Sequence, residues 1–175
     1  MNSEQNAFRL ETERLVITEF TMDMATDVHL NSLDEDNRRF VPDEVFETVE
    51  DAAETIEFLK GFYDSEEGPF VYPILKKDGT YLGHVQAVPM DDGEYEIGYH
   101  IGGSHTGKGY ATEAVKGFLP VIMERLGLSE MPGICLKENA ASARVMEKAG
   151  FVKTYEGPGN YQDAEREICK FVFRK

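Results

Sequence analysis

Basic residues are in short supply in this 175-residue chain: 18 Lys and Arg stand against 33 Asp and Glu, a formal net charge of −15. A surface of that sign repels nucleic-acid phosphates, and no local basic patch offsets it, so DNA and RNA are excluded as partners. Cationic molecules such as amines are attracted instead, although the same carboxylates also serve solubility. Cysteine is scarce as well. Cys135 and Cys169 are the only two, which argues against a disulfide framework, and their apolar, strand-like settings imply reduced, buried thiols. No apolar run approaches the ~20 residues that cross a bilayer, so no membrane contact is expected. The opening MNSEQNAFRLETERL lacks a basic start followed by an apolar stretch. No secretion leader is expected, and a cytoplasmic location follows.

What remains is an ordinary globular composition, 41% apolar and 29% charged, without repeats, low-complexity tracts or linkers. Its length suits one domain spanning 1–175. LETERLVITEF alternates loosely and predicts a strand over Leu15 to Phe20. MDMATDVHLNSL places Met24, Val28, Leu30 and Leu33 at helical spacing behind an Asp23 cap. Thr48 to Tyr63 is a stronger helix, with Thr48 and Asp51 resembling a capping box. Three runs punctuated by Asp-Gly turns, FVYPILKKDG, YLGHVQAVPM and DDGEYEIGYHI, predict an antiparallel meander. A helix is expected from about Lys108 to Leu126, bent or broken near Lys116 because Pro120 removes a donor and clashes one turn back. GICLKEN reads as a strand, AASARVMEKAG as a helix capped by Asn139, and REICKFVFRK as a final strand. The class is mixed α/β, a mostly antiparallel central sheet flanked by helices.

The stretch GGSHTGKGYATEA, beginning at Gly102, carries the chemical signal. Gly102, Gly107 and Lys108 make most of a Walker A loop, but Gly109 stands where a Mg²⁺-binding hydroxyl belongs. No strand ends in a metal-holding Asp, and the G-x-G-x-x-G dinucleotide pattern is absent. A nucleotide phosphotransferase is therefore the weaker reading. A strand running through a glycine turn into a helix still offers free amides and the positive helix end to an anion. Coenzyme A carries a diphosphate that needs amides and no metal.

HTGKGYATEA resembles motif A of the GNAT acetyltransferases, Q/R-x-x-G-x-G/A, with Gly107 and Gly109 in register. LETERLVITEF, EIGYHI, GKGYATEA and ENAASARVMEKAGF follow one another as in the ribosomal-protein N-terminal (RimJ/RimL-type) branch, over nearly the whole chain. The resemblance implies an enzyme that moves an acetyl group from acetyl-CoA, its only cosubstrate, to a primary amine. It implies that the diphosphate is held along Ser104, Thr106, Gly107, Lys108, Gly109, Tyr110 and Ala111. It also implies a splay between the strand ending at Ile101 and GICLKEN, with the pantetheine arm pairing near Ile101 and bonded by Asn139. Ser104 replaces the usual Gln or Arg, and Thr106 a common aromatic. Homodimers are frequent in this family.

Amide formation needs a neutral amine, a polarised thioester and a proton for the departing thiolate. Many family members supply that proton from a Tyr, but Met146 occupies its place here. Ser142 is the candidate acid by resemblance, and it is equally a first-turn helix residue. Glu96 and His100 share one strand face and are the candidate bases; His84 and Glu94 are weaker ones. Tyr99 and Tyr110 read as packing. Around NRRFVPDEVFE, Arg38, Arg39 and Phe40 are expected in the acceptor wall. A coenzyme-A-binding sensor without turnover is the alternative from another class.

Overall fold

The computed structural model describes residues 7–175. The leader expectation rests partly on residues 1–6, outside that range. Two antiparallel sheets make up the frame. The first runs β1 (Arg9–Glu11), β2 (Leu15–Thr18), β3 (Phe70–Lys76), β4 (Tyr81–Pro89) and β5 (Tyr95–Ile101) in spatial order. The second is ordered β6 (Glu130–Leu136), β8 (Ala164–Arg174), β7 (Val152–Tyr161). Between β2 and β3 lie α1 (Ala25–Ser32), α2 (Glu35–Phe40) and α3 (Val49–Lys60); α4 (Tyr110–Leu126) follows β5 and α5 (Ala140–Lys148) follows β6. The mixed α/β expectation holds, and one apolar core joins both sheets.

α4 carries much of that core. Ala114, Val115, Phe118, Leu119, Ile122 and Met123 are buried along one face, each large apolar side chain adding about 1.5–3 kcal/mol. Phe118 meets the Tyr72 ring at 5.6 Å. The helix begins at Tyr110, not Lys108, because Gly109 at φ 79° turns the chain into it. The expected break near Lys116 does not occur, and the helix runs without interruption to Leu126. Lys116 and Pro120 both face solvent, so water can satisfy the carbonyl that Pro120 leaves unbonded. Asp23 caps nothing: it sits inside a short 3-10 turn, Met22–Met24, and α1 starts behind Met24 without a side-chain cap. Thr48 does cap α3, accepting from the Asp51 amide at 3.0 Å.

Besides the short β1, which precedes the first strand expected, α2 and β7 escaped the pattern reading. α2 is polar nearly all round, so no stripe announces it; Asp34 starts it by accepting from the Asn37 amide at 2.7 Å. Buried Asn37 then fastens it, donating to the Ser32 and Glu44 carbonyls at 2.8 and 3.1 Å. β7 contains Gly157, Pro158 and Gly159, which read as breakers. It lies at a sheet edge, where Pro costs no interior ladder bond.

β4 and β5 approach so closely that position 83 must be glycine. A Cβ there would stand 1.9 Å from the His100 carbonyl oxygen. Gly83→Ala is expected to force the end of β5 away and lower stability by about 1–3 kcal/mol. The urea midpoint of the purified variant measures this.

Candidate active site

β5 and β6 belong to different sheets yet touch, since a Cβ on Gly133 of β6 would lie 3.0 Å from Ile97 of β5. The gap they leave opens into a cleft of about 840 Å³. Its wall brings together Glu96, Tyr99, His100, Ile101, Thr106, Gly107, Gly109, Tyr110, Ala111, Asn139, Ser142 and Met146. Ser104 and Lys108 do not line it; both are exposed on the outer side of the loop.

At one end sits the glycine loop. Gly107 and Gly109 have φ 77° and 79°, a conformation that side chains disfavour. Among the described residues, the amides of Gly107, Lys108, Gly109, Tyr110, Ala111 and Thr112 find no hydrogen-bond partner. Consecutive unsatisfied amides at a helix start, with no Cβ on two of them, fit a diphosphate group well. Asn139 caps α5 by accepting from the Ser142 amide at 3.2 Å, which leaves its amide nitrogen available to a ligand.

Strand alternation sends Glu96, Gly98 and His100 to one face, beside Val88, Gln86 and His84 of β4. Gly98 leaves room for Gln86 to lie across it: a Cβ there would meet the Gln86 amide nitrogen at 2.6 Å. Gln86 then donates to Glu44 at 3.4 Å, and His84 stands 3.4 Å from the other Glu44 oxygen. Burial raises the Glu44 pKa, but His84, His100 and Gln86 outweigh it and hold the carboxylate below its ordinary range. Glu96 has no such partners. Burial pushes its pKa up to about 7, against a small opposing pull from the Ile134 main chain. His100 is lowered by burial and then by His84, while Asp34 and Glu44 oppose. Its Nε2 lies 3.6 Å from Asp34 without a hydrogen bond.

On the opposite face of β5, Tyr99 does more than pack. Its hydroxyl donates to the Ser142 carbonyl at 2.7 Å and lies 2.9 Å from the Ser142 hydroxyl. With the Tyr99 proton used on the carbonyl, the Ser142 hydroxyl is the donor in the second bond. Met146, buried at 1% exposure, offers no proton.

Arg38 and Arg39 do not enter the cleft. They pair with Glu47 at 2.7 Å and with Glu138, itself on the wall, at 2.9 Å, and only Phe40 of that trio lines the cleft. The tip of the β7–β8 hairpin completes the enclosure, Tyr161 donating to the Phe40 carbonyl at 3.0 Å and Gln162 to Asp43 at 2.7 Å. Glu44, Gln86 and Tyr161 carry no sequence signal for these roles, because each depends on which strand or turn lands opposite it.

The profile of the Acetyltransferase (GNAT) domain matches residues 14–152. The chain belongs to the GNAT acetyltransferases. It is 31% identical over 142 residues, 81% of each chain, to the uncharacterized N-acetyltransferase YnaD of Bacillus subtilis (strain 168). A GNAT-family acetyltransferase from Bacillus anthracis superposes with a TM-score of 0.80 at 24% identity, covering 95% of this chain and 98% of that one. The ribosomal L7/L12 α-N-protein acetyltransferase RimL, solved with coenzyme A, has the same fold at 13% identity, TM-score 0.81, with 95% and 98% covered. This GNAT enzyme therefore uses acetyl-CoA, and the phosphotransferase reading of its near-Walker loop is set aside.

Glu96 has a thermodynamic signature. An acid whose folded pKa lies above its unfolded one destabilises the fold as pH rises between the two values. Glu96→Gln is expected to match the wild type below about pH 4.5 and to exceed it above pH 7, by on the order of 3 kcal/mol at most. Urea denaturation across that pH range checks the sign.

Proposed function

We propose that this enzyme transfers acetyl directly from acetyl-CoA to a primary amine whose remaining body carries positive charge. The observation carrying the reading is a single cleft with unsatisfied helix-start amides at one end and Glu96 with other carboxylates elsewhere on its wall. The amides along Gly107 to Ala111 hold the diphosphate, Asn139 the pantetheine arm, and the main chain near Ile101 aligns it. Bound acetyl-CoA supplies the activated acyl group.

Glu96, with a pKa of about 7, removes a proton from the incoming ammonium so that the free amine can attack. The new C–N bond forms as the C–S bond breaks. The Ser142 hydroxyl, held beside Tyr99, turns its proton from Tyr99 to the departing sulfur and is reprotonated by the proton that the acylated nitrogen sheds. His100 is the alternative base; Asp34 beside it and its lowered pKa favour a supporting role. A covalent acyl-enzyme is disfavoured because burial, and then Cys169, push the Cys135 thiol up to about 11. Buried free thiols also suit a cytoplasmic location.

Asp34, Asp36, Glu44 and Glu96 line the cleft with no Arg or Lys among the described residues paired to them, against Arg144 and Lys148 on the same wall, a balance that supports a cationic acceptor, whether a small polyamine or a basic protein N-terminus.

Thiol release from acetyl-CoA over a panel of amines tests the reading and separates an enzyme from a sensor. We expect kcat/KM to rise with pH through about 7, and Glu96→Gln to remove that inflection and about 100-fold or more of the rate. Failure to bind acetyl-CoA at roughly hundreds of micromolar overturns the assignment. Diamines are expected to outperform monoamines of equal length. Glu44→Gln should raise their KM about fivefold while leaving monoamines unaffected.

A further inference from the structure

Arg14 lies far in sequence from the glycine loop, in LETERLVITEF at the turn between β1 and β2, yet it reaches the start of α4. Its Nη1 donates to the Lys108 carbonyl at 2.9 Å and its Nε to Glu113 at 2.6 Å. The guanidinium carbon lies 4.6 Å from the centroid of the Tyr110 ring. Its Nη2 stands 3.4 Å from where a Cβ on Gly109 would be. Thr12 and the Arg14 amide complete the grip on Glu113, at 2.5 and 2.9 Å.

Resting on the acetyl-CoA assignment, we infer that Arg14 is a positioning residue for the diphosphate, acting through the Lys108–Gly109 peptide and through Glu113. Two physical consequences support this. In a trans peptide the carbonyl and the following N–H point in opposite directions. Fixing the Lys108 oxygen on Arg14 therefore aims the Gly109 N–H the other way and keeps a repulsive carbonyl from turning toward an anion. Glu113, meanwhile, places a carboxylate in the first turn of the helix that must receive negative charge. Thr12 and Arg14 hold that carboxylate ionised against burial, and the guanidinium cancels its field at the helix start.

The far side of the loop is fastened independently. The Gly102 amide donates to the Leu82 carbonyl at 2.8 Å and the Gly103 amide to Asp34 at 3.2 Å. Between those ties and Arg14, the bonds of the loop are internal, His105 to Gly102 and Thr106 to Gly103. Removing Arg14 thus frees the Gly107–Gly109 end alone.

The test compares two acyl donors, acetyl-CoA and S-acetylpantetheine, which lacks the nucleotide diphosphate. Arg14→Ala is expected to raise KM for acetyl-CoA about tenfold to a hundredfold, with kcat and the amine KM unchanged. Arg14→Lys, which keeps the charge but loses the two-pronged grip, should recover only part of the loss. With S-acetylpantetheine the wild type and both variants should coincide. An unchanged KM for acetyl-CoA overturns the inference, as does an equal loss with both donors, which would mean a general structural role. Calorimetry on the wild type separates the two readings. Absence of acetyl-CoA binding there overturns the function itself, whereas normal binding beside an unaffected Arg14→Ala overturns this inference alone.

Discussion

A helix must begin with amides that have no carbonyl behind them, and this chain uses that deficit at one end of its cleft. α4 is anchored by Phe118, Leu119 and Ile122 deep in the core, so its first turn cannot drift. Glycines at 107 and 109 bring the chain into that turn through left-handed conformations. The consequence is a row of donors with neither internal partners nor a shielding side chain at two positions. Everything proposed for the donor end of the cleft follows from that arrangement, including the need to keep the Lys108 carbonyl pointed away.

The other chemistry rests on two carboxylates treated differently by their surroundings. Glu44 is surrounded by His84, His100 and Gln86 and stays ionised despite burial. Glu96 is buried without a charged partner and holds its proton to about pH 7. The first can hold positive charge; the second can exchange a proton. The shared apolar core offsets the cost of burying Glu96, and in the proposed mechanism that carboxylate is a base whose pKa is matched to an amine-transfer reaction.

Much of the frame was legible because its elements obey simple periods. The Asp-Gly turns of the meander, the shared face of Glu96 and His100 and the Thr48 cap all appear as expected. The failures have physical causes. α2 has no apolar stripe and depends on Asp34 and Asn37. β7 carries Gly and Pro that only an edge position excuses. Pro120 does not break α4 because it is exposed, which makes the lost bond tolerable, and that exposure depends on how α4 is seated. The Tyr99 contact has no local signature, because nothing near it in the chain places Ser142 within reach of its hydroxyl.

The amino-acid order alone determined that the chain is an acidic α/β protein with a glycine turn opening a helix, since charge, turn glycines and strand alternation act over a few residues. It also put Glu96 and His100 on one strand face. Which of them would lack a charged neighbour was decided only in three dimensions, because burial and charge pairing depend on elements distant in the chain. The same holds for Arg14, whose contacts with Lys108 and Glu113 span 94 and 99 residues. Long-range geometry, not local propensity, chose which side chains face the cleft and which are occupied elsewhere.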